Sequence, residues 1–154
     1  GTFFFHFPTK EHVLLELERR EEERIARQFS RFLETEHDLV GTLKEAVRLV
    51  LDIEDRLGPV LFKDFLALHF SPTRPPAEEG QDHPLIVSVA EEIERAQRAG
   101  EVDAEVNPWN SAVFFLLGLY ALLTTTHAWP NRAGMVDDFV ANTLRSLRPR
   151  LTRR

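Results

Sequence analysis

The chain of 154 residues contains no cysteine, one methionine and one tyrosine. The absence of cysteine excludes disulfides, thiolate zinc sites, iron–sulfur clusters and cysteine nucleophiles, and nothing indicates an oxidising compartment. The apolar N-terminus lacks a basic n-region and a small-residue cleavage site, so no signal peptide is predicted and we expect a cytoplasmic location. The chain has 19 Lys and Arg residues against 25 Asp and Glu residues, so its net charge is −6. The chain as a whole is therefore acidic, and its average charge does not attract nucleic acid.

Apolar residues recur at helical spacing along most of the chain, and no segment alternates convincingly with a period of two. This pattern predicts an all-α domain of about six helices. The first predicted helix spans residues 10–35 with Thr9 as its N-cap, and Asp38 and Asn107-Pro108 mark later helix starts. Residues 71–84 contain four of the nine prolines and are predicted to form a loop.

Seven consecutive charged residues, Glu18 to Arg24, interrupt the apolar face of the first predicted helix. Apolar faces lie on both sides of this charged run. A helix that is polar on every side is either solvated or bridges two packed bodies. We therefore expect the charged run to span a gap between two bodies.

The predicted helix of residues 108–128 is apolar on every face through its middle and carries no formal charge from Trp109 to Trp129. Its length is near the about 20 residues that a membrane span needs. Its Asn, Ser, Thr and His residues favour a buried helix of a soluble protein instead. Because six helices cover such a helix only in part, we expect a homodimer, with the last helix completing a four-helix bundle. A monomer is the alternative. We expect Leu119→Glu to distinguish a dimer from a monomer.

The densest motif is Gly1-Thr2-Phe3-Phe4-Phe5-His6-Phe7-Pro8-Thr9-Lys10, followed by Glu11. It resembles the end of the helix-turn-helix domain of tetracycline-repressor-like (TetR family) regulators, where a Gly-Thr-Leu-Tyr-x-His/Tyr-Phe-Pro-Ser-Lys-Glu-like run precedes a long helix. Two later features are weakly similar to the same family: the turn at Gln97-x-x-Gly100-Glu101 and the helix start at Asn107-Pro108. The resemblance implies that residues 1–9 are the remnant of a DNA-binding domain, that residues 10–154 form a ligand-binding and dimerisation domain, and that most of the helix-turn-helix lies upstream of Gly1.

The resemblance further implies a ligand-responsive, DNA-binding transcriptional regulator, with repression as the expected direction. A small molecule would release the dimer from its operator. Thr2, Phe4, His6 and Lys10 are expected to lie at the DNA and contact its backbone, which positions a protein without selecting sequence. Phe4 stands where the family commonly has Tyr, so the hydroxyl bond to a phosphate is absent. A hydrophobic plug with a polar rim is the alternative for this segment.

The expected ligand is a largely apolar small molecule with one or two hydrogen-bonding groups. Candidate pocket residues are aromatic or polar groups on otherwise apolar faces: Phe29, Phe62, Phe65, His69, Trp109, Tyr120, Thr124 and His127. Aromatic residues at helical spacing are also typical of plain core, which is the alternative for each of them.

No enzyme, metal site or cofactor is predicted. Glu34-Thr35-Glu36-His37 has the Glu-x-x-His spacing of di-iron bundles, but it has no second copy in the sequence. The arginine-rich segment of residues 145–154 is expected to be a solvated end. The alternative function is a helical dimerisation or small-molecule-binding module with no role at DNA, which the codons upstream of Gly1 would distinguish.

Overall fold

The computed structural model describes residues 9–69, 71 and 83–150, apart from the side chain of Glu11. This part of the chain contains six helices and no strand, so the predicted all-α architecture is confirmed for it. The helices are α1 (Lys10–Leu33), α2 (Leu39–Leu57), α3 (Pro59–His69), α4 (Pro84–Arg98), α5 (Pro108–Thr125) and α6 (Arg132–Leu147). Most of the predicted loop of residues 71–84 lies outside the described residues.

Local capping explains where three of the helices begin. Thr9, Asp38 and Asn107 each accept a hydrogen bond from the backbone N–H three residues further on. Such a bond satisfies one of the donors that a helix start leaves without an intrahelical partner. Gly58, with φ of 76°, ends α2 in a conformation that glycine adopts without strain. The three predicted N-caps are confirmed.

A single core is built around α5 and α1. α5 packs against α3, α4 and α6, and its most extensive contact is with α4, while α1 packs against α2, α3 and α4. Phe29, Phe62, Phe115 and Leu119 are among the large side chains that are almost completely buried. The burial of such side chains supplies most of the stability of a domain of this kind.

One side of α5 stays apolar and uncovered within the chain. Phe114 is 70% exposed and Leu117 is 40% exposed, whereas Leu119 and Leu123 are completely buried. Phe114, Leu117 and Ala121 lie three and four positions apart and therefore share one face of the helix. Because Leu119 is buried within the chain, Leu119→Glu would disrupt the core itself. The expectation that this substitution tests dimerisation is therefore wrong. α5 is also long and apolar enough to cross a membrane, a property that it shares with core helices of soluble proteins.

α6 approaches α5 closely at Gly118. A Cβ atom at this position would lie 2.8 Å from Cζ of Phe139, well inside the usual contact distance of carbon atoms. The ring of Phe139 also stacks on Phe115, with ring centroids 5.5 Å apart. The missing side chain of Gly118 therefore allows an aromatic ring to lie directly on the backbone of α5.

The charged run of residues 18–24 does not span a gap between two bodies, so that expectation is wrong. α1 continues through the run as one helix, and both Glu18 and Glu21 are almost completely buried. They continue the inward face that Leu14 begins and that Ile25 and Phe29 extend. The run therefore has an inner side that packs on the domain and an outer side that faces solvent.

Ion pairs fasten the inner side of this run to α2. Arg24 lies 2.7 Å from Glu21 and 2.6 Å from Asp52 of α2, and Arg56 of α2 lies 3.2 Å from the other oxygen of Glu21. The two basic side chains thus satisfy a carboxylate that would otherwise be costly to bury. These pairs hold α1 against α2 at one position along its length.

A second buried pair connects three helices. Arg132, the first residue of α6, binds Glu54 of α2 with two nitrogens and also donates to the carbonyl of Leu123 in α5, at 2.9 Å. The side chain of Glu54 is only 6% exposed. Bidentate pairs of this kind are the strong form of the arginine–carboxylate interaction.

We expect Arg132→Ala to lower the free energy of unfolding by about 3–5 kcal/mol, because it leaves the carboxylate of Glu54 buried without its main partner. Urea denaturation followed by circular dichroism measures the change. The double variant Arg132→Met/Glu54→Leu is expected to recover much of the loss. Arg48→Ala removes an exposed pair with Glu45 and is expected to cost less than about 1 kcal/mol. Equal losses in Arg132→Ala and Arg48→Ala would contradict a structural role for the buried pair.

Candidate functional site

A small cavity lies where α1, α2, α3, α4 and α5 meet. Its volume is about 30 Å³, enough for a water molecule or an ion but far below the 300 Å³ or more, roughly, of pockets for drug-sized ligands. The lining is largely apolar. It consists of Glu22, Ile25, Ile53, Phe65, His69, His83, Pro84, Leu85, Ile86, Leu116, Leu117 and Tyr120.

The polar groups of the cavity come from different helices and converge. His69, the last residue of α3, places Nδ1 3.4 Å from a carboxylate oxygen of Glu22 in α1. The ring of His83 meets the ring of His69 edge-on, with centroids 4.5 Å apart. Tyr120 of α5 lies with its ring centroid 6.0 Å from that of His69. The cavity thus has apolar walls and one polar end.

Glu18 contacts His69 at this polar end of the cavity. Its Oε1 lies 3.2 Å from Nδ1 of His69, and the side chains of both residues are buried. An ionised carboxylate at this distance accepts the ring N–H, which fixes the orientation of the imidazole. Glu18 and Glu22 are four positions apart on α1, so one helix face brings both carboxylates to His69.

The same carboxylates act on Tyr120. Burial raises the pKa of the Tyr120 phenol well above its usual range, and the negative charges of Glu22 and Glu18 raise it further. Both effects disfavour a phenolate, since it would be a buried charge beside other negative groups. Tyr120 is therefore a neutral hydroxyl at physiological pH, able to donate or accept a hydrogen bond.

His83 enters the cavity from an uncommon backbone conformation. Its φ of 56° and ψ of 62° place it in the left-handed region, which few residues other than glycine adopt. Pro84 follows at once and begins α4. His83 thus lies immediately before α4, with its ring against His69 at the end of α3.

Of the eight residues predicted to bind a ligand, the structure brings three together in the cavity. Phe65, His69 and Tyr120 line the cavity. Phe62, Thr124 and His127 instead line an open groove between α3 and the end of α5. The other two are separate from both: Phe29 is buried in the core and Trp109 is 50% exposed.

The residues predicted to contact DNA are described only at Lys10. Its ammonium group lies 2.9 Å from Asp64 of α3, and its side chain is 73% exposed. Thr2, Phe4 and His6 lie outside the described residues, as does all but the last residue of the predicted remnant of residues 1–9.

Sequence reasoning missed Glu18, Glu22 and His83. The two glutamates were hidden in the charged run, although their spacing from Ile25 and Phe29 places them on the inward face of α1. His83 lies in a proline-rich segment and has no periodic signal. For the Glu-x-x-His motif, Glu34 is the exposed C-cap of α1, and His37 pairs with Glu92 of α4 at 2.9 Å.

Comparisons of the chain with protein-family models, curated proteins and solved structures found no match. The residues of the chain itself therefore carry the functional argument.

We expect the Tyr120 phenol to stay protonated in the folded chain at pH values near 10, about where tyrosine ordinarily titrates. Because the folded pKa is raised, the resulting stabilisation is complete below the unfolded pKa and is lost as pH rises towards the folded value. Tyr120 is the only tyrosine, so the ultraviolet absorbance of tyrosinate reports on it directly. The urea-unfolded chain is the control and should titrate normally. A normal titration in the folded chain would show that the phenol is solvated.

Proposed function

We propose that this chain is the sensing and dimerisation part of a ligand-responsive DNA-binding regulator of the TetR type, acting as a repressor in the cytoplasm. One observation carries the proposal: α1 is a single unbroken helix that follows directly after the run of residues 1–9 and also forms one wall of the cavity. The run resembles the end of a DNA-reading head. α1 is thus suited to connect a sensed molecule to such a head.

The mechanism follows from the size of the cavity. A drug-sized molecule needs several times the volume present, so its entry must move at least one of the surrounding helices. α1 contributes Glu22 and Ile25 to the lining, close to its middle. A small tilt of α1 there becomes a larger displacement at its N-terminal end. In a dimer that reads two half-sites one helical turn apart, such a displacement lowers affinity for the operator.

The chemistry of the cavity supports an apolar ligand with a polar end. Its walls are formed by side chains such as Ile25, Phe65 and Leu116, and the polar groups are confined to one end. A ligand donor or acceptor would meet His69 and the neutral hydroxyl of Tyr120 there. A few polar groups in an otherwise apolar pocket fix the orientation of a ligand and give such a site its selectivity.

Lys10 is the described residue that the proposal places near DNA. Its pair with Asp64 is exposed and therefore worth at most about 1 kcal/mol, so a phosphate could readily replace the carboxylate. Phosphates are favoured at the start of a helix, where backbone N–H groups and the helix dipole attract anions. Thr2, Phe4 and His6 are proposed to contact the same backbone.

The DNA role is tested by the reading frame that encodes the chain. We expect the codons upstream of Gly1 to encode a basic helix-turn-helix segment. The protein expressed with that segment should bind DNA taken from beside its own gene in a mobility-shift assay. Lys10→Ala should weaken that binding for all sequences alike, with a smaller salt dependence. Lys44→Ala, which removes an exposed lysine of α2, is the control. An unrelated upstream sequence would favour a helical dimerisation or small-molecule-binding module instead.

We further propose that the chain forms a homodimer through α5 and α6. The support is the outward stripe of Phe114, Leu117 and Ala121, since apolar surface of this kind is usually covered by a partner. A symmetric pair would bring two helices from each chain into a four-helix bundle. Covering the stripe would also explain why α5 is apolar on every face.

We expect Phe114→Glu/Leu117→Glu to convert a dimer into a monomer, because the charges would be buried at the contact without partners. Sedimentation velocity measures the change, and circular dichroism checks the fold. Val60→Glu is the matched control: Val60 is 77% exposed on α3, away from the stripe, and this variant should stay dimeric. If the unaltered chain sediments as a monomer, the proposed bundle is wrong.

A further inference from the structure

We propose that the polar end of the cavity is a binding site for a divalent transition-metal ion of the zinc type, held by Glu22, His69 and His83. The inference goes beyond the proposed role at DNA and does not depend on it. It concerns three residues that lie far apart in the sequence and that come from α1, α3 and the start of α4.

The geometry is close to that of a three-ligand site. One ligand atom from each of Glu22, His69 and His83 lies within 4.8 Å of those of the other two. Around a tetrahedral zinc ion with bonds of about 2.0–2.1 Å, ligand atoms are separated by about 3.3 Å. Small rotations of the side chains therefore suffice to bring the three atoms onto one ion.

The kinds of ligand select the metal. Two imidazoles and one carboxylate form a common ligand set of zinc sites that keep an open position. Imidazole also suits nickel, cobalt and copper, whereas magnesium and calcium prefer sites made of oxygen alone. With no cysteine in the chain, thiolates do not compete for the ion.

Two further features of the surroundings favour a cation. The carboxylate of Glu18 lies 3.2 Å from Nδ1 of His69. With Glu18 on Nδ1, His69 would offer its other ring nitrogen, Nε2, to the ion. A carboxylate on the nitrogen opposite the metal is a frequent outer partner of metal-binding histidines, because it orients the ring and makes it more basic. Glu22 places a second carboxylate oxygen 3.4 Å from the same nitrogen, so two acidic side chains lie beside the imidazole.

The cavity has room for the remaining ligand. Its volume of about 30 Å³ would accommodate a water molecule, which would complete the coordination and mark the position where an incoming ligand could bind. Since the protein ligands come from three helices, the bound ion would tie α1 to α3 and α4. Metal binding should therefore stabilise the folded chain, by an amount that grows with the logarithm of the ratio of free metal concentration to dissociation constant.

The test uses the untagged chain, freed of metal with a chelator. Titration with Zn²⁺ against a chromophoric chelator gives affinity and stoichiometry, and Co²⁺ absorption reports the geometry. We expect one ion per chain at micromolar or tighter affinity, with a rise in melting temperature. His83→Gln, Glu22→Gln and His69→Gln should each weaken binding by more than about 100-fold, and Glu18→Gln by about 10- to 100-fold.

His37→Gln is the matched control. His37 and Glu92 form a pair of similar burial, with 2.9 Å between the nitrogen and oxygen and no third ligand among the described residues. This variant should keep full zinc affinity. Melting curves of the metal-free variants establish that each is folded. Because His83 lies only partly buried at the start of α4, His83→Gln keeps the test valid if His69→Gln fails to fold. Absent binding, or binding that persists unchanged in His83→Gln, would overturn the proposal.

Discussion

The burial of acidic side chains from α1 is the constraint on which the rest of the structure depends. Glu18 and Glu21 are almost completely removed from water, which is costly unless each carboxylate finds partners. The partners lie on other helices: His69 on α3 and Arg56 on α2. Sliding α1 by one turn would break both pairings at once. Charge pairing, added to apolar packing, therefore fixes the register of α1 on the domain.

The cavity is a consequence of the same arrangement. Glu22 brings a carboxylate to the point where α1 meets α3 and α4, 3.4 Å from Nδ1 of His69, and gives that end of the cavity its polarity. The rest of the lining is largely apolar, and surroundings of low dielectric constant strengthen the electrostatic interactions beside them. The helix that bears these carboxylates also leads to residue 10, so the proposed sensing would need no separate domain.

Much of the helical architecture could be predicted because its signals are local. The caps at Thr9, Asp38 and Asn107 depend on side chains next to the helix starts. The site could be predicted only in part: Phe65, His69 and Tyr120 were among the candidates, but their convergence with residues of α1 depends on which helices meet. The charged run looked uniform, but packing buries Glu18 and Glu21 and leaves Arg19, Arg20 and Glu23 exposed. α5 presented the opposite difficulty: in a helix apolar all round, nothing in the pattern separates buried Leu119 from exposed Leu117.

The contact of Phe139 with the backbone at Gly118 has a consequence for the surface beside it. Gly118 follows Leu117 in α5, so the ring that sets the spacing of α5 and α6 lies at the border of the outward stripe. That border is thus determined by packing within the chain. A single methyl group added at position 118 would push the ring away from α5 and change the border of the stripe without altering one residue on it.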